Sequence, residues 1–232
     1  MGIEAGSSTY YQAKRGIVQD NLRLLLDAGV KDSYISGDTW YDLSGNGNNA
    51  TLYNTPTYSK TNGGRLYFDG VNEYAKVSGG FTYGQMTWAL WIYKNTNNYR
   101  HLIYQGTTYG FVTSIYFYPA KPVFRIYSYP QGYSDVYGNS SLGNGQYYHI
   151  VATANNNNTD AMKLYINGVQ QTQTASVINI GGAGDLWIAA YGYSGPQSFF
   201  GGGIHQLAVY NMELSAQQVL DNYNATRHRF GL

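Results

Sequence analysis

Aromatic and amide side chains occur together in two segments of the sequence, residues 127–139 and 191–197. A tyrosine ring can stack on the C–H face of a sugar, and Asn or Gln side chains can bind its hydroxyl groups. We therefore predict a glycan-binding or protein-interface surface. The alternative is that these rings cap the edges of the fold or pack against a neighbouring subunit. The principal candidates are Tyr129, Tyr133, Tyr137, Tyr191 and Tyr193, and Tyr99 and Tyr109 belong to the same group of loop aromatics.

A second candidate site lies in the segment FDGVNEY, where Asp69, Asn72 and Glu73 bring oxygen-bearing side chains close together. Ca²⁺ binds carboxylate and amide oxygens, so this cluster predicts a calcium site. The Asp69–Gly70 pair is equally typical of a tight turn, in which Asp bonds to its own backbone. Both interpretations stay open from the sequence, and no other cofactor is predicted.

The thirteen acidic residues are scattered and mostly lie beside turn residues. Hydrolysis of a glycosidic bond needs two carboxylates on either side of that bond, and no ExDxxE-like stretch that would supply them occurs. No Ser-His-Asp motif, phosphate-binding glycine loop or zinc spacing is visible either. We therefore predict that the chain is not an enzyme. His149 and His205 are expected to be structural, with His205 on the same face as Leu207 and Val209.

The composition excludes several partners. Charged residues make up 12% of the chain and the formal net charge is +1, so no electrostatic field favours nucleic acid. No stretch of about 18 apolar residues occurs, which argues against membrane insertion. The absence of cysteine excludes disulfides and thiolate metal sites. Residues 1–16 lack the apolar centre of a signal peptide, so we expect a protein that is made in the host cytoplasm and not exported by a classical leader.

Strands must position these side chains, because short alternating segments separated by Gly and Asn turns dominate the sequence. The strongest strand covers residues 86–93 and is apolar on both faces, which predicts a central strand covered on both sides. Residues 65–69 form another strand, and Asp69–Gly70 is predicted to turn it into a hairpin with residues 74–77. Residues 128–145, with Tyr129, Tyr133 and Tyr137, are interpreted as a loop.

Only one helix is predicted, beginning after Ser215, which forms a capping-box pattern with Gln218. Ten to twelve short strands with so little helix predict an all-β fold: a two-sheet antiparallel sandwich with one short C-terminal helix. Residues 1–16 are interpreted as an irregular N-terminal arm and residues 17–232 as one domain.

Five motifs occur in an order that resembles the concanavalin A-like lectin/glucanase superfamily, in its laminin G-like branch. They are LYFDGVNEY, TWALWIY, YYHIVAT, LYING and GGIHQLAVYNMELSAQQV, within a resemblance that covers about residues 22–223. The resemblance implies a jelly-roll sandwich. It also implies calcium at edge loops, although many relatives carry an acidic residue where this chain has His205.

Two longer segments, TWYDLSGNGNNATLYNTPTY and LSAQQVLDNYNATRHRFGL, are similar to laminin G-like domains of tailed-phage virion proteins. This resemblance implies a structural protein displayed on a virus particle, on the capsid, tail or fibre, with weak contacts to cell-surface or mucosal glycans. The arm would then dock to other virion proteins, and we expect a homo-oligomer. A free carbohydrate-binding module is the alternative function, and a glycoside hydrolase is disfavoured by the missing carboxylate pair.

Overall fold

The structure is a computed structural model that describes residues 16–81, 84–96, 99–106, 110–156, 160–176, 180 and 184–232. Within these residues the chain forms sixteen strands, one α-helix (α1) and a C-terminal 3₁₀ turn. In chain order the elements are β1 Leu22–Asp27, β2 Thr39–Trp40, β3 Ala50–Tyr53, β4 Thr57–Ser59, β5 Arg65–Asp69, β6 Tyr74–Val77, β7 Gln85–Lys94, β8 Arg100–Gly106, β9 Phe111–Tyr118, β10 Lys121–Ser128, β11 Gly132–Tyr137, β12 Gln146–Asn155, β13 Met162–Ile166, β14 Val169–Gln170, β15 Leu186–Ile188, β16 Gly201–Tyr210, α1 Ala216–Thr226 and the 3₁₀ turn Arg227–Phe230.

The strands form two antiparallel sheets of eight strands each. Sheet I has the order β14-β13-β12-β7-β16-β5-β4, with β1 also paired to β16. Sheet II has the order β11-β10-β9-β8-β15-β6-β3-β2. The predicted all-β jelly-roll sandwich with one short C-terminal helix is confirmed.

Alternation along the strands fills the space between the two sheets. In β7, Trp88, Leu90 and Ile92 point into this interlayer core, where Phe124 and Ile126 of β10 meet them. The rings of Trp88 and Phe124 lie with centroids 5.9 Å apart. Burying side chains of this size stabilises the fold by about 1.5–3 kcal/mol each.

The outer face of sheet I is covered by the C-terminal segment. Ser215 caps α1 and Gln218 completes the predicted capping box. The indole Nε1 of Trp91, on the other side of β7, donates to Thr226 Oγ1 at 2.7 Å. The strand predicted at residues 86–93 is therefore central and covered on both sides. The helix covers the outer face of sheet I and does not cover the outer face of sheet II.

The predicted hairpin between residues 65–69 and 74–77 is wrong. β5 pairs with β4 and β16 in sheet I, whereas β6 pairs with β3 and β15 in sheet II. The turn at Asp69–Gly70 therefore carries the chain from one sheet to the other. An Asp-Gly turn reverses the chain whether the two strands that it joins lie in one sheet or in two. Tertiary packing decides which strands they pair with.

The predicted face of His205 is also wrong, although the residue is buried. The register of β16 against β7 shifts between Ile204 and Gln206, which is a β-bulge. One extra residue reverses the alternation. His205 therefore lies on the outer side of sheet I against the rings of Tyr147 and Phe230.

None of the helices in the described ranges is both long and apolar enough to cross a membrane. The interpreted arm, residues 1–16, lies outside the described residues except for Gly16. A Cβ built on Gly16 would approach the Cβ of Ala225 to 2.7 Å, so the chain at this point packs against α1.

Candidate functional site

An open pocket of about 370 Å³ lies on the outer face of sheet II. Its floor comes from β8 to β11, and the segment between β15 and β16 forms one wall. The register explains how the floor is assembled, because Arg125 lies opposite both Ser114 and Asp135 while Tyr127 lies opposite Tyr133 and Val112. The lining residues are Tyr99, His101, Gly110, Val112, Ser114, Arg125, Tyr127, Tyr129, Tyr133, Tyr191 and Tyr193.

Arg125 is held rigidly in the floor. Its Nε and Nη2 donate to the two carboxylate oxygens of Asp135 at 2.7 and 2.6 Å. The guanidinium carbon lies 4.4 Å from the ring centroid of Tyr133 and 5.3 Å from that of Tyr116. The hydrogen bond to Asp135 is the main reason that the pKa of Arg125 is raised above its ordinary value. A bidentate pair of this kind fixes direction as well as charge.

The wall that carries Tyr191 and Tyr193 is a short folded segment. The backbones of Tyr191 and Gln197 exchange two hydrogen bonds of 2.8 and 3.0 Å. Gly192 packs so closely on the indole of Trp187 that an added Cβ would meet ring atoms at 2.3–2.5 Å. The ring of Tyr191 lies 4.7 Å from His101 and 4.6 Å from Tyr104. The wall is therefore anchored to the sheet before any ligand arrives.

His101 lies beneath this wall and is almost completely buried. Burial, and then the positive charge of Arg125, lower its pKa from 6.5 to about 3. The imidazole is therefore neutral at neutral pH. Its Nδ1 lies 3.3 Å from Ser198 Oγ.

The rim of the pocket consists of exposed aromatic rings. Tyr129 is 70% exposed, Tyr133 is 64% exposed and Tyr193 is 42% exposed. Large aromatic side chains usually bury most of their surface, so three such rings around one pocket form an apolar rim with polar hydroxyl tips. Such a rim offers ring faces to a ligand that has both C–H and hydroxyl groups.

The structure brings four of the five principal tyrosine candidates together at this pocket. They are Tyr129, Tyr133, Tyr191 and Tyr193, and Tyr99 joins them. Tyr137 is not in the lining, and its hydroxyl donates to Asp135 Oδ2 at 3.2 Å behind Arg125. Tyr109 lies outside the described residues.

The interpretation of residues 128–145 as a loop is wrong in part, because Gly132–Tyr137 is strand β11. Arg125 was not among the predicted site residues, and Tyr127 was included only as the first residue of the segment 127–139. A signal for them exists in the segment KPVFRIYS: Phe124 and Ile126 are apolar and share one face, so Arg125 and Tyr127 must share the other. The sequence does not show that the face of β10 that carries Arg125 and Tyr127 is uncovered in the folded protein.

The calcium candidates form a hydrogen-bonded turn. Asp69 Oδ1 accepts the backbone N–H groups of Val71, Asn72 and Glu73, and Glu73 Oε2 accepts the N–H of Asp69. Burial acts to raise the pKa of Asp69, but these backbone hydrogen bonds outweigh it and the pKa is lowered. Across the described ranges, no three His, Cys, Asp or Glu side chains come together as metal ligands. Calcium at this turn stays a prediction, and no chemistry is derived through it.

The two antiparallel sheets and the open aromatic pocket place this chain in the class of jelly-roll β-sandwich domains. The chain belongs to the concanavalin A-like lectin/glucanase superfamily, whose laminin G-like family matches residues 69–220. No match to the chain is found among curated protein sequences.

Solved structures share this fold at low sequence identity. One similar structure is domain 4 of AbnA, a GH43 extracellular arabinanase from Geobacillus stearothermophilus, solved in complex with arabinotriose. Its TM-score is 0.71 at 17% sequence identity, and the match covers 88% of this chain and 98% of that one. The binding domain of Paraclostridial mosquitocidal protein 1 has a TM-score of 0.69 and 16% identity, covering 89% and 52%. The receptor binding domain of the botulinum neurotoxin C/D mosaic serotype has a TM-score of 0.69 and 14% identity, again covering 89% and 52%. This chain thus spans about half the length of the two toxin domains.

Proposed function

We propose that this chain is a glycan-binding domain and that the pocket on sheet II is its binding site. The observation that carries the proposal is the convergence of exposed tyrosine rings around a fixed Arg125 in one open pocket. Rings of this kind can stack on the C–H faces of a sugar, while the guanidinium and the tyrosine hydroxyls bind its hydroxyl groups.

Binding is favoured over hydrolysis by the chemistry of the lining. The lining residues in the described part of the chain include no Asp or Glu. The carboxylate of Asp135, which holds the pocket residue Arg125, is already occupied by Arg125 and Tyr137. A glycosidase needs one free carboxylic acid and one free carboxylate on either side of the bond. We therefore propose a binding module without hydrolytic activity.

The arabinanase domain similar in fold carries arabinotriose. This supports the choice of arabinan fragments as the first ligands, although the two chains share only 17% of their residues.

The test is a glycan array followed by isothermal titration calorimetry with the best ligand. We expect Tyr133→Ala and Tyr193→Ala each to weaken binding at least fivefold to tenfold, because losing a central aromatic contact costs above about 1 kcal/mol. Tyr41→Ala is the matched control, since Tyr41 is 51% exposed and is not in the pocket lining. An array without any bound glycan would refute the proposal.

We further propose that this domain is displayed on a phage particle, as a component of the capsid, tail or fibre. The similarity of residues 39–58 and 214–232 to phage virion domains supports this role. Gly16 packs against Ala225 of α1, on the sheet opposite the pocket, which suits an arm that docks to other virion proteins while the pocket faces outward. Such a domain would be localised to the virion and would be a homo-oligomer there.

Mass spectrometry of purified particles tests this second proposal. We expect peptides of this chain in the particles, and their absence would contradict the virion role without affecting glycan binding. Deleting residues 1–16 should prevent incorporation while the isolated domain stays folded by circular dichroism. Normal incorporation of the truncated chain would contradict docking through the arm.

A further inference from the structure

The charges at the pocket indicate what class of glycan it selects. Arg125 is the only Lys, Arg, Asp or Glu among the described lining residues, and a lone guanidinium would favour a carboxylated or sulfated sugar. Asp135 changes this expectation. Its carboxylate accepts both hydrogen bonds from Arg125, at 2.6 and 2.7 Å, so the pair carries no net charge.

The donor that remains for a ligand is well defined. Nε and Nη2 of Arg125 are directed at Asp135, whereas Nη1 has no hydrogen-bond partner among the described residues. The rings of Tyr116 and Tyr133 on the guanidinium further restrict its movement. An anionic group that approached Nη1 would also meet the field of the Asp135 carboxylate bound to the same guanidinium. A sugar hydroxyl could accept from Nη1 without that repulsion.

The other polar side chains of the lining carry no charge that could attract an acidic sugar. His101 is buried next to the positive charge of Arg125 and is neutral at neutral pH. The remaining polar side chains of the lining are the hydroxyls of Ser114 and the tyrosines. The described pocket therefore offers hydroxyls, an imidazole and one neutralised guanidinium.

We propose that the pocket selects an uncharged saccharide over an acidic one, and that Asp135 determines this selectivity by neutralising Arg125. This inference rests on the proposed glycan-binding function and names the ligand class of the same site. Asp135 acts through Arg125 and is therefore a specificity-determining residue that does not itself line the pocket.

The first test uses the unaltered chain and neutral and acidic probes. Arabinotriose and a galactose trimer are compared with a galacturonic acid trimer and a sialylated trisaccharide by calorimetry at low and at moderate NaCl. We expect the best neutral probe to bind at least tenfold more tightly than either acidic probe, with less than a twofold change between the two salt concentrations. Tighter, salt-sensitive binding of an acidic probe would overturn the selectivity and leave glycan binding intact. Binding by none of the probes would overturn the selectivity, whereas glycan binding itself is decided by the array.

The second test is Asp135→Asn, which keeps the shape of the side chain and leaves the charge of Arg125 uncompensated. We expect affinity for the galacturonic acid trimer to rise at least tenfold and to fall again with added salt. Affinity for the neutral probe should fall severalfold, because the guanidinium is held less firmly. Thermal unfolding followed by circular dichroism checks that the variant is folded.

Asp185→Asn is the matched control. Asp185 pairs with Lys76 at 2.9 Å in the same sheet but outside the pocket lining. The control therefore makes the same chemical change in another ion pair, and its selectivity should equal that of the unaltered chain. An Asp135→Asn variant that gains no affinity for the acidic probe would contradict the role of Asp135. If that variant does not fold, the comparison of probes on the unaltered chain still decides the selectivity.

Discussion

Removal of the Arg229 side chain should strongly destabilise the fold, because it leaves a buried carboxylate without its partner. Asp27 at the end of β1 is completely buried. Its oxygens accept from Gly29 N at 2.9 Å, from Gln206 Nε2 at 2.8 Å, and from Nη1 and Nη2 of Arg229 at 2.7 Å each. Arg229 also donates to Gly63 O at 2.6 Å. The pair thus fastens the C-terminal turn to the edge of sheet I.

The magnitude follows from the burial of Asp27. Breaking a buried ion pair on one side costs about 3–5 kcal/mol, because the remaining charge stays desolvated. Native domains have about 5–15 kcal/mol of unfolding free energy, so Arg229→Met should remove a large part of it. For a chain of this size the melting temperature should fall by about 6–20 °C.

Urea unfolding at pH 7, followed by circular dichroism, measures the effect. Arg227→Met is the matched control, because Arg227 is exposed on the same turn, and we expect it to cost less than about 0.5 kcal/mol. The double variant Asp27→Asn/Arg229→Met should be more stable than Arg229→Met alone, since no buried charge remains. The reasoning is refuted if Arg229→Met and Arg227→Met lose stability by amounts within about 1 kcal/mol of each other.

Three further outcomes are expected. Burial lowers the pKa of His101, His149 and His205 from 6.5 to about 3, so their stabilising effect is complete above pH 6.5 and is lost as pH falls toward 3. The unfolding free energy measured with urea should decrease below pH 6.5 by up to about 1.4 kcal/mol per pH unit for each histidine, and a flat profile from pH 7 to 5 would contradict this. Gly192→Ala should weaken glycan binding more than tenfold, because the added Cβ displaces the wall from Trp187. The same overpacking should cost about 1–3 kcal/mol and lower the melting temperature by about 2–12 °C. Unchanged calorimetric affinity would show that the wall is not needed. EDTA should shift the melting temperature by less than about 1 °C if residues 69–73 form only a turn, whereas a clear rise with added Ca²⁺ would identify a metal site there.

Local patterns predicted the parts of this fold that depend on neighbours in sequence. The alternation of residues 86–93 identified β7 as a central strand, and Ser215 with Gln218 identified the start of α1. These features follow from backbone geometry and burial over a few residues, which a sequence displays directly.

Pairing between distant strands could not be predicted in this way. The turn at Asp69–Gly70 has the same chemistry whether it joins two strands of one sheet or of two. The bulge that moves His205 to the outer face inserts one extra residue, and the order of apolar and polar residues in the sequence does not reveal it. Tyr133 was expected in a loop because its segment is rich in turn residues, but pairing with β10 makes that segment strand β11.

The sequence by itself therefore determined that the chain is a β-sandwich with tyrosine-rich segments suited to sugar contacts. The tertiary structure decided that Tyr129, Tyr133, Tyr191 and Tyr193 surround one pocket and that Arg125, held by Asp135, lies in its floor. The physical reason is that α1 and the C-terminal turn cover sheet I and leave the outer face of sheet II open. Which face of a sheet is covered depends on where a remote segment packs, and no local pattern of residues records that.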